Sequence, residues 1–502
     1  MKGRVLNISA LGSLTAVVMV IWALLALVPK SSAIPAFSRK YQTSCTTCHN
    51  NYPELNDFGE AFKKNGFKFP KDDEVFVKEP PVLLGSKAQK EAFPGAVYPG
   101  EIPGYLPIAF RYEGNFNLNR KQPAGVAQNG FAPRTDLFAP NTFTIISAGS
   151  FGQNISFWID DDISVGGANA DGGLGDGWLK YNDLGHKLGL PKNALNVRFG
   201  QFELDIPFTQ AKSIYLSPFD IYGEPNVGIG GPCPSADPNR ILVQCETANN
   251  PFIFGAGQRG IEFGGTPNNG NFNWSVAVTN GSNDGTATRS SKDVYVRVSQ
   301  KFNLERDPES RNAVQAAGPT GPRDHTSIRL GFFYYYGKNQ QNQDGTLFPG
   351  VTTTVVEPFY RVGGDLRFKY RHLELFGLAM YGHDENHLFT PESETGPATI
   401  VPATAIKFAG GFAGANYWIH PWLIGTFHYD AVNSFADSVN GTPFSQHQTR
   451  NRFSPGFQVL VRANIKVVGE YQYTFGQPYT DLAGNPLFFR PNTFQTGIDY
   501  VF

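Results

Sequence analysis

The most informative segment of the chain is Ile108-Ala109-Phe110-Arg111-Tyr112-Glu113-Gly114-Asn115-Phe116-Asn117-Leu118, in which the even positions are apolar and the odd positions mostly polar. Alternation with a period of two predicts a β-strand with one face in an apolar medium and the other in a polar one. Tyrosine and phenylalanine fill several of the apolar positions, as they do in the interfacial girdles of membrane barrels. The segment therefore favours a membrane β-barrel over a soluble β-sandwich, which is the alternative for this region.

The same alternation recurs from residue 105 to residue 502. Clear examples are residues 155–163, 195–202, 272–278, 294–302, 328–336, 360–370, 373–381, 423–431, 457–461 and 465–475. Weaker segments surround Phe143, Trp178, Ile261 and Phe408, and the final strand ends at Phe502 with an aromatic residue that resembles the assembly signal of outer-membrane barrels. The total is about sixteen strands, an even number as closed barrels of this kind require. Short and long connections mostly alternate, as periplasmic turns and outer loops do, with residues 304–324 as the exception.

The composition agrees with an all-β membrane barrel and excludes one class of partner. The chain of 502 residues has 55 Gly, 42 Phe and 21 Tyr, and only 17% of its residues are charged. After about residue 30 no apolar run is long enough to make a membrane helix. The net charge of -1 provides no basic surface for nucleic acid.

The first residues of the chain have the features of a secretory signal. Lys2 and Arg4 precede an apolar run from Leu11 to Val28, and Ser31-Ser32-Ala33 offers a small-residue cleavage site. The apolar run is long, so an uncleaved membrane anchor is the alternative to a signal peptide over residues 1–33. In either case the chain is exported, which permits haem attachment and a disulfide between Cys233 and Cys245.

A Cys-x-x-Cys-His motif follows this signal, at Cys45, Cys48 and His49. Two thiols at this spacing can bond the two vinyl groups of one haem, and the adjoining histidine is then the proximal iron ligand. The alternative is a redox or zinc pair of cysteines, but a zinc site needs two more ligands, and the next candidates are His186 and Cys233. The motif predicts one covalent haem c in a head over residues 34–67.

The head is too small to bury a haem alone. Residues 53–65 are predicted to form one short helix, which begins at Pro53 and ends before Gly66, with Leu55, Phe58 and Phe62 on one face. Residues 68–104 are rich in Pro, Gly and charge and are predicted to be a linker to the barrel at residues 105–502. The remaining walls of the haem site must therefore come from the barrel.

No methionine occurs between Met19 and Met380, so the nearby methionine that would complete a free-standing small cytochrome is missing. The alternation in residues 371–381 turns His372, Glu374, Phe376, Leu378 and Met380 inward, so Met380 is a candidate distal ligand and His428 a second one. Simple lining of the lumen is the alternative role for both. Asp160 and Asp162 also have inward parity, and they are predicted either to concentrate cations or to form an ordinary solvated rim.

The head motifs resemble those of a known family. Residues 34–40 read Ile-Pro-Ala-Phe-Ser-Arg-Lys, and Cys45, Cys48, His49, Pro53, Leu55, Phe58-Gly59, Phe62-Lys63 and Gly66-Phe67 follow. This pattern resembles the fused monohaem cytochrome-porins of bacterial outer membranes, of which the best known oxidise extracellular Fe(II). The resemblance covers about thirty-five residues and implies a haem head, in or under a sixteen-stranded pore, that exchanges electrons with a periplasmic c-type cytochrome or another carrier. Glu60 departs from the family, in which a basic residue is frequent at this position. This departure weakens the inference that the protein shares the substrate of the iron oxidisers.

Three classes of function follow from these observations. The first is electron transfer across the outer membrane, either inward from Fe(II) or another extracellular donor, which would make the protein an iron:cytochrome c oxidoreductase, or outward to an extracellular acceptor. The second is a solute porin with an accessory haem. The third is a haem enzyme such as a peroxidase, which the absence of a recognisable distal acid and base pair disfavours. The expected location is the bacterial outer membrane, in contact with its lipid, with the head on the periplasmic side or inside the lumen.

Overall fold

The computed structural model describes residues 36–502 with several gaps. Not described are 70–72, 86, 97–99, 121–133, 153, 164–172, 224–231, 235–241, 245–249, 251, 268–269, 282–289, 305–325, 343–353, 391–398, 435–437, 440–441, 444–449, 476–478, 481–485 and 489–491. The predicted signal peptide lies outside the described residues. The cysteine pair that export would allow to form a disulfide does so too, since Cys245 and the side chain of Cys233 are not described.

Sixteen antiparallel strands form one closed barrel, so the predicted count of strands is confirmed. The strands are β1 Ile108–Asn119, β2 Thr135–Phe151, β3 Ile155–Asp162, β4 Gly173–Tyr181, β5 Asn196–Phe202, β6 Gln258–Gly265, β7 Phe272–Thr279, β8 Asp293–Asn303, β9 Ser327–Asn342, β10 Thr354–Tyr370, β11 Leu373–Thr390, β12 Thr399–His420, β13 Leu423–Ser434, β14 Arg450–Arg462, β15 Ile465–Phe475 and β16 Thr493–Val501. Each strand pairs with its neighbour in the chain, and β16 pairs with β1 to close the sheet. No sheet edge is left open in this barrel, which suits a surface surrounded by lipid.

The shortest connections mark one end of the barrel. Residues 371–372, 421–422 and 463–464 join β10 to β11, β12 to β13 and β14 to β15. We call this end, where β1 also begins, the short-turn end. The link from β8 to β9 lies at the same end and is long, but residues 305–325 of it lie outside the described residues.

The outer face of the barrel is apolar and carries aromatic residues near both ends. At the short-turn end Tyr370 and Trp422 are exposed, and toward the other end Tyr473 and Phe475 are exposed. The latter two follow Ile465, the first residue of β15, by eight and ten positions. At about 2.5 Å of height per residue in a tilted strand, these positions lie about 20–25 Å above the turns. Because the apolar band of an outer-membrane barrel is about 25 Å tall, this outer face suits a lipid bilayer.

The core of the molecule lies inside the barrel, where it is formed largely by the connection between β5 and β6. We call its described residues 203–223, 250 and 252–256 the inward segment. Its apolar side chains are almost fully buried: Leu204, Ile206, Phe208, Ile214, Tyr215, Leu216, Phe219, Ile221, Tyr222, Phe252 and Phe254. They pack against inward residues of the wall, including Phe376 on β11 and Phe412 on β12. A wide barrel is thereby given a hydrophobic interior.

Residues 36–69, which we call the N-terminal segment, contribute the rest of the interior. Helix α1 spans Ala36–Tyr41, a 3₁₀ turn spans Cys45–Thr47, a small hairpin pairs His49–Asn51 with Glu54–Leu55, and helix α2 spans Asp57–Lys64. The helix predicted over 53–65 therefore begins four residues late. The reason is that Asn56, and not Pro53, starts it, since the Asn56 side chain accepts a hydrogen bond from the Gly59 N–H at 2.8 Å.

The predicted linker is not without structure. Helix α3 spans Asp73–Phe76, helix α4 spans Lys87–Ala92, and Val82–Leu83 pairs with Glu101–Ile102. The prolines therefore shorten the helices without excluding them. Across the described portion of the chain, none of the helices combines the length and the apolar character that a membrane crossing requires.

Candidate functional site

The two cysteines of the motif lie on one tight turn inside the barrel. Ser44 begins the 3₁₀ turn, and its hydroxyl accepts from the Thr46 N–H at 3.4 Å. The Cys48 N–H donates to the Cys45 carbonyl at 3.1 Å, which closes the turn. Both thiols are free and half-buried, and burial raises the pKa of the Cys48 thiol to about 12. Two reduced, protonated thiols are thus held close together on one short loop.

His49 is oriented by a backbone carbonyl. Its Nδ1 lies 3.1 Å from the Pro53 carbonyl oxygen, so Nδ1 carries the proton and donates, and Nε2 is left with the lone pair. Burial lowers the pKa of His49 to about 4, which keeps the ring neutral at ordinary pH. A neutral imidazole fixed by a hydrogen bond from its other nitrogen is the usual form of a metal-binding histidine.

Helix α2 supports the turn from behind. The Asn56 N–H donates to the Cys48 carbonyl at 2.9 Å, and Gly59 lies so close that a Cβ there would stand 2.0 Å from the same carbonyl oxygen. A larger residue at position 59 would therefore displace the loop that carries both cysteines. This close approach is the physical reason for the glycine that the sequence analysis noted in the motif.

Aromatic residues connect the N-terminal segment to the barrel wall. Phe62 of α2 and Phe67 are buried, and their ring centroids lie 6.0 Å apart. Phe67 also lies 5.9 Å from Trp158 on β3 and 6.1 Å from Trp178 on β4. The face predicted for the helix is therefore partly confirmed, because Phe62 packs in the core. Its partners are barrel residues that the sequence alone did not indicate.

A cavity of about 650 Å³ lies between the N-terminal segment and the wall. Cys45, Cys48 and His49 all line it, together with Trp158 and Trp178. This volume falls within the range of about 300–1,000 Å³ that is typical of cofactor sites. The three residues predicted to attach a cofactor thus line one cavity of suitable size.

The N-terminal segment is attached to the wall around most of the barrel circumference. The Lys68 ammonium donates to the Gly152 carbonyl at 3.0 Å, Lys180 on β4 donates to the Lys64 carbonyl at 2.9 Å, and the Asn193 side chain donates to Asn65 at 3.0 Å. On the other side, the contacts are Lys301 on β8 with Asp57, Arg367 on β10 with Glu54, Asn51 with Gln458 on β14, and Lys466 on β15 with the Tyr52 carbonyl. These contacts lie at the short-turn end, so the segment is lodged inside that mouth.

Met380 points into the lumen, as its parity predicted, and only 3% of it is exposed. It belongs to the apolar core with Phe376 and Leu378. Among the described residues, the lining of the cavity at Cys45 and His49 does not include Met380. Its role as a distal ligand remains a prediction, and the geometry brings Met380 to the aromatic core instead of the cavity.

His428 is fully buried and also points inward. Its two ring nitrogens lie 3.6 Å from the carboxylates of Asp430 and Glu470, and its ring contacts Tyr215 and Phe219 of the inward segment. The His428 ring therefore packs beneath the inward segment, and among described residues the cavity lining does not include it.

Asp160 and Asp162 face the lumen as predicted and line the cavity. Asp160 accepts hydrogen bonds from the Trp158 indole at 2.8 Å and from the Asp176 N–H at 2.9 Å. Among the described residues, no group of three or more His, Cys, Asp or Glu side chains has an arrangement that could hold a metal ion. These carboxylates therefore serve first to fix the wall beside the cavity.

Sequence reasoning missed two parts of this site. The first is the inward segment, whose apolar residues follow no strict period, although their number in so long a connection is itself a signal. The second is a set of basic residues on β8, β9 and β10 that faces helix α2.

Glu60, which departs from the family pattern, lies on helix α2, 3.6 Å from Lys64. Burial raises the pKa of Glu60, but Lys64, Arg329 and two further basic residues together lower it by more, so the net pKa is below its ordinary value.

Comparisons with known proteins concern the barrel. No protein-family model matches the chain, and no curated protein matches it. Among solved structures, the outer membrane channel DcaP of Acinetobacter baumannii is 14% identical, with a TM-score of 0.45, and covers 79% of this chain and 96% of its own. Salmonella typhi OmpF is 10% identical, with a TM-score of 0.46 and coverages of 79% and 98%. The anion-selective porin from Comamonas acidovorans is 13% identical, with a TM-score of 0.45 and coverages of 79% and 98%. The protein is a closed sixteen-stranded β-barrel with a small helical segment inside its short-turn end.

Proposed function

We propose that the protein is an outer-membrane electron-transfer protein in which one covalent c-type haem is held inside the barrel at its short-turn end. The observation that carries the proposal is the shared cavity of Cys45, Cys48 and His49, with the His49 Nδ1 already committed to the Pro53 carbonyl. The alternating apolar outer face supports the membrane location. Inward flow from Fe(II) and outward flow to an extracellular acceptor are both compatible with this arrangement.

The residues present fit a haem. Two free thiols stand on one turn, a neutral imidazole presents Nε2, and aromatic side chains wall the cavity. Cys45 and Cys48 would attach the group through their sulfur atoms, and His49 would ligate its iron. When bound, such a group supplies a one-electron carrier. The chain's own contribution is to orient His49 through Pro53, to hold the cysteines through α2, and to exclude bulk water with Phe62, Phe67 and the two tryptophans.

A solute porin remains the second candidate because a sixteen-stranded barrel is wide and its inner wall is charged. Ion pairs line the lumen, including Arg297 with Asp365, Arg111 with Asp499, and Arg452 with Asp430. Barrels of sixteen strands ordinarily leave an aqueous channel. The inward segment and the N-terminal segment oppose this function, since both occupy the lumen.

The first experiment measures haem attachment. The full chain, with its signal, is expressed in a bacterium that carries the c-type haem ligation machinery, and haem per chain is determined from the pyridine haemochrome spectrum. We expect one haem per chain for the wild type, loss of covalent haem in Cys48→Ser, and retention in the control Thr46→Ala, which alters an exposed residue between the cysteines. A colourless wild-type protein would exclude the proposal.

The second experiment measures electron transfer. Haem-loaded protein in liposomes is mixed with Fe(II), and the ferrous absorption bands are followed. Reduction by Fe(II) supports the inward direction. If Fe(II) leaves the haem oxidised, the oxidase form is excluded, and a redox titration then shows whether the potential suits export. Arabinose-driven liposome swelling in the same preparation reports on the porin alternative.

A further inference from the structure

Four basic side chains form a continuous row on the inner wall near the short-turn end. Lys301 on β8 pairs in register with Arg329 on β9, and Arg329 pairs with Arg367 on β10. Lys369, two residues after Arg367, pairs with Ser327. We call these four residues the basic ladder. Like charges directly opposite each other in a sheet are destabilising, so the ladder by itself is an unfavourable arrangement for an empty barrel.

The N-terminal segment supplies an opposite charge, Asp57, to the two lysines of the ladder. Asp57, the first residue of α2, places one carboxylate oxygen 2.6 Å from the Lys301 ammonium and the other 3.9 Å from that of Lys369. Arg367 has a closer partner on the wall itself, the Glu374 carboxylate on β11 at 3.1 Å, and Glu54 of the segment lies 3.8 Å from the same guanidinium. Burial raises the pKa of Asp57, but Lys369 and Lys301 lower it by more, so its net pKa lies well below the ordinary value. The Asp57 carboxylate of the segment is thus matched to the two lysines of the ladder.

The ladder is mostly shielded from water, so this match is energetically significant. Lys301 and Lys369 are 8% and 6% exposed. Removing one partner of a buried ion pair leaves the other charge uncompensated, which is strongly unfavourable. The described contacts of the segment with β4, β14 and β15 contain no carboxylate: lysine ammonium groups on β4 and β15 donate to backbone carbonyls, Asn51 donates to Gln458 on β14, and Phe67 packs on Trp178. Ion pairs therefore distinguish the attachment of the segment to β8 and β10.

We infer that the basic ladder is an electrostatic lock for the N-terminal segment, and that this segment closes the short-turn mouth of the barrel to hydrophilic solutes. The inward segment adds a second layer of packed side chains, with Phe219 stacked on Phe412 at 3.7 Å between ring centroids. The inference concerns permeability and goes beyond the proposed electron transfer, since it follows from the contacts of protein side chains alone.

The test measures arabinose-driven swelling of liposomes that contain the full-length, haem-loaded protein. We expect wild-type swelling at the rate of protein-free liposomes. Lys301→Gln combined with Lys369→Gln, and separately Asp57→Lys, are expected to swell at least tenfold faster. The control is Lys187→Gln, because Lys187 is an exposed lysine outside the ladder, and it should swell like the wild type.

Exchanging the charges separates loss of the lock from simple misfolding. Asp57→Lys combined with Lys301→Asp and Lys369→Asp restores opposite charges across the contact and should close the barrel again. Wild-type swelling at the rate of a general porin would overturn the closure. Swelling that stays low both in the Lys301→Gln, Lys369→Gln variant and in Asp57→Lys, in barrels shown to be folded by circular dichroism, would overturn the lock. The milder Asp57→Asn provides the same test if Asp57→Lys does not fold. A colourless protein that nevertheless stays closed would reject the proposed function and leave this inference standing.

Discussion

Phe219→Ala should loosen the inward segment without weakening the barrel. The Phe219 side chain is 1% exposed, stacks on Phe412, and contacts the edges of Tyr215 and His428. Truncating a buried phenylalanine costs about 3–5 kcal/mol because of lost burial and the cavity that remains. We take the lower limit, since a connection can partly collapse around the gap. A loss of about 3 kcal/mol corresponds to roughly a 100-fold increase in the population of the locally open segment.

Hydrogen exchange measured by mass spectrometry is the suitable assay. Peptides covering residues 213–222 should exchange roughly 100-fold faster in the variant. The exchange rate of peptides from β12 and β13 should not change, because the backbone hydrogen bonds between these strands remain intact. The matched control is Phe263→Ala, which truncates an outward phenylalanine that is 40% exposed on β6. Unchanged exchange in residues 213–222, or equal acceleration throughout the barrel, would refute the independent packing of the inward segment.

Three further predictions concern the N-terminal segment and the core. Gly59→Ala should lower covalent haem incorporation several-fold, since its Cβ would overlap the Cys48 carbonyl. The control Gly95→Ala, at a position with no heavy atom within 4 Å of the added Cβ, should leave incorporation unchanged. Equal incorporation in the two variants would contradict the close-approach argument. Burial, followed by the Glu374 carboxylate, raises the pKa of Glu54 from 4.5 to about 7, so the folded state binds more protons than the unfolded state between these values. The contribution of Glu54 to stability is therefore complete below pH 4.5 and is lost as the pH rises toward 7, and Glu54→Gln should flatten the thermal midpoint over this window relative to wild type; an identical pH profile would count against the assignment. Met380→Leu should leave the ferrous haem spectrum unchanged, because Met380 lies in the aromatic core, and a shifted spectrum would instead support its predicted role as distal ligand.

The barrel was predictable because its signal is local. In residues 108–118 every second side chain is apolar. The same alternation in their own strands orients Met380, His428, Asp160 and Asp162 inward, as the structure has them. The even number of strands follows from counting such segments. The Cys-x-x-Cys-His motif likewise needs only its spacing to be found, and the haem that it predicts awaits the spectroscopic test.

Boundaries within the N-terminal segment were less predictable. Proline suits the first turn of a helix, so the sequence predicts a start at Pro53, yet the Asn56 side chain accepts a hydrogen bond from the Gly59 N–H and the helix starts at Asp57. Both residues are good start signals in the same window. The competition is decided by the hairpin that pairs His49 with Leu55 and so keeps Pro53 out of the helix.

The sequence by itself determined the alternation, the strand count and the motif, because each depends on residues that are neighbours along the chain. Only the tertiary structure decided which inward side chains face one another. Lys301 meets Asp57 across 244 positions, and Tyr215 meets Asn416 across 201, through the register of the closed sheet and the path of a connection that folds into the lumen. Periodicity gives the face of a strand on which a residue lies, but it contains no information on what occupies the space in front of that face.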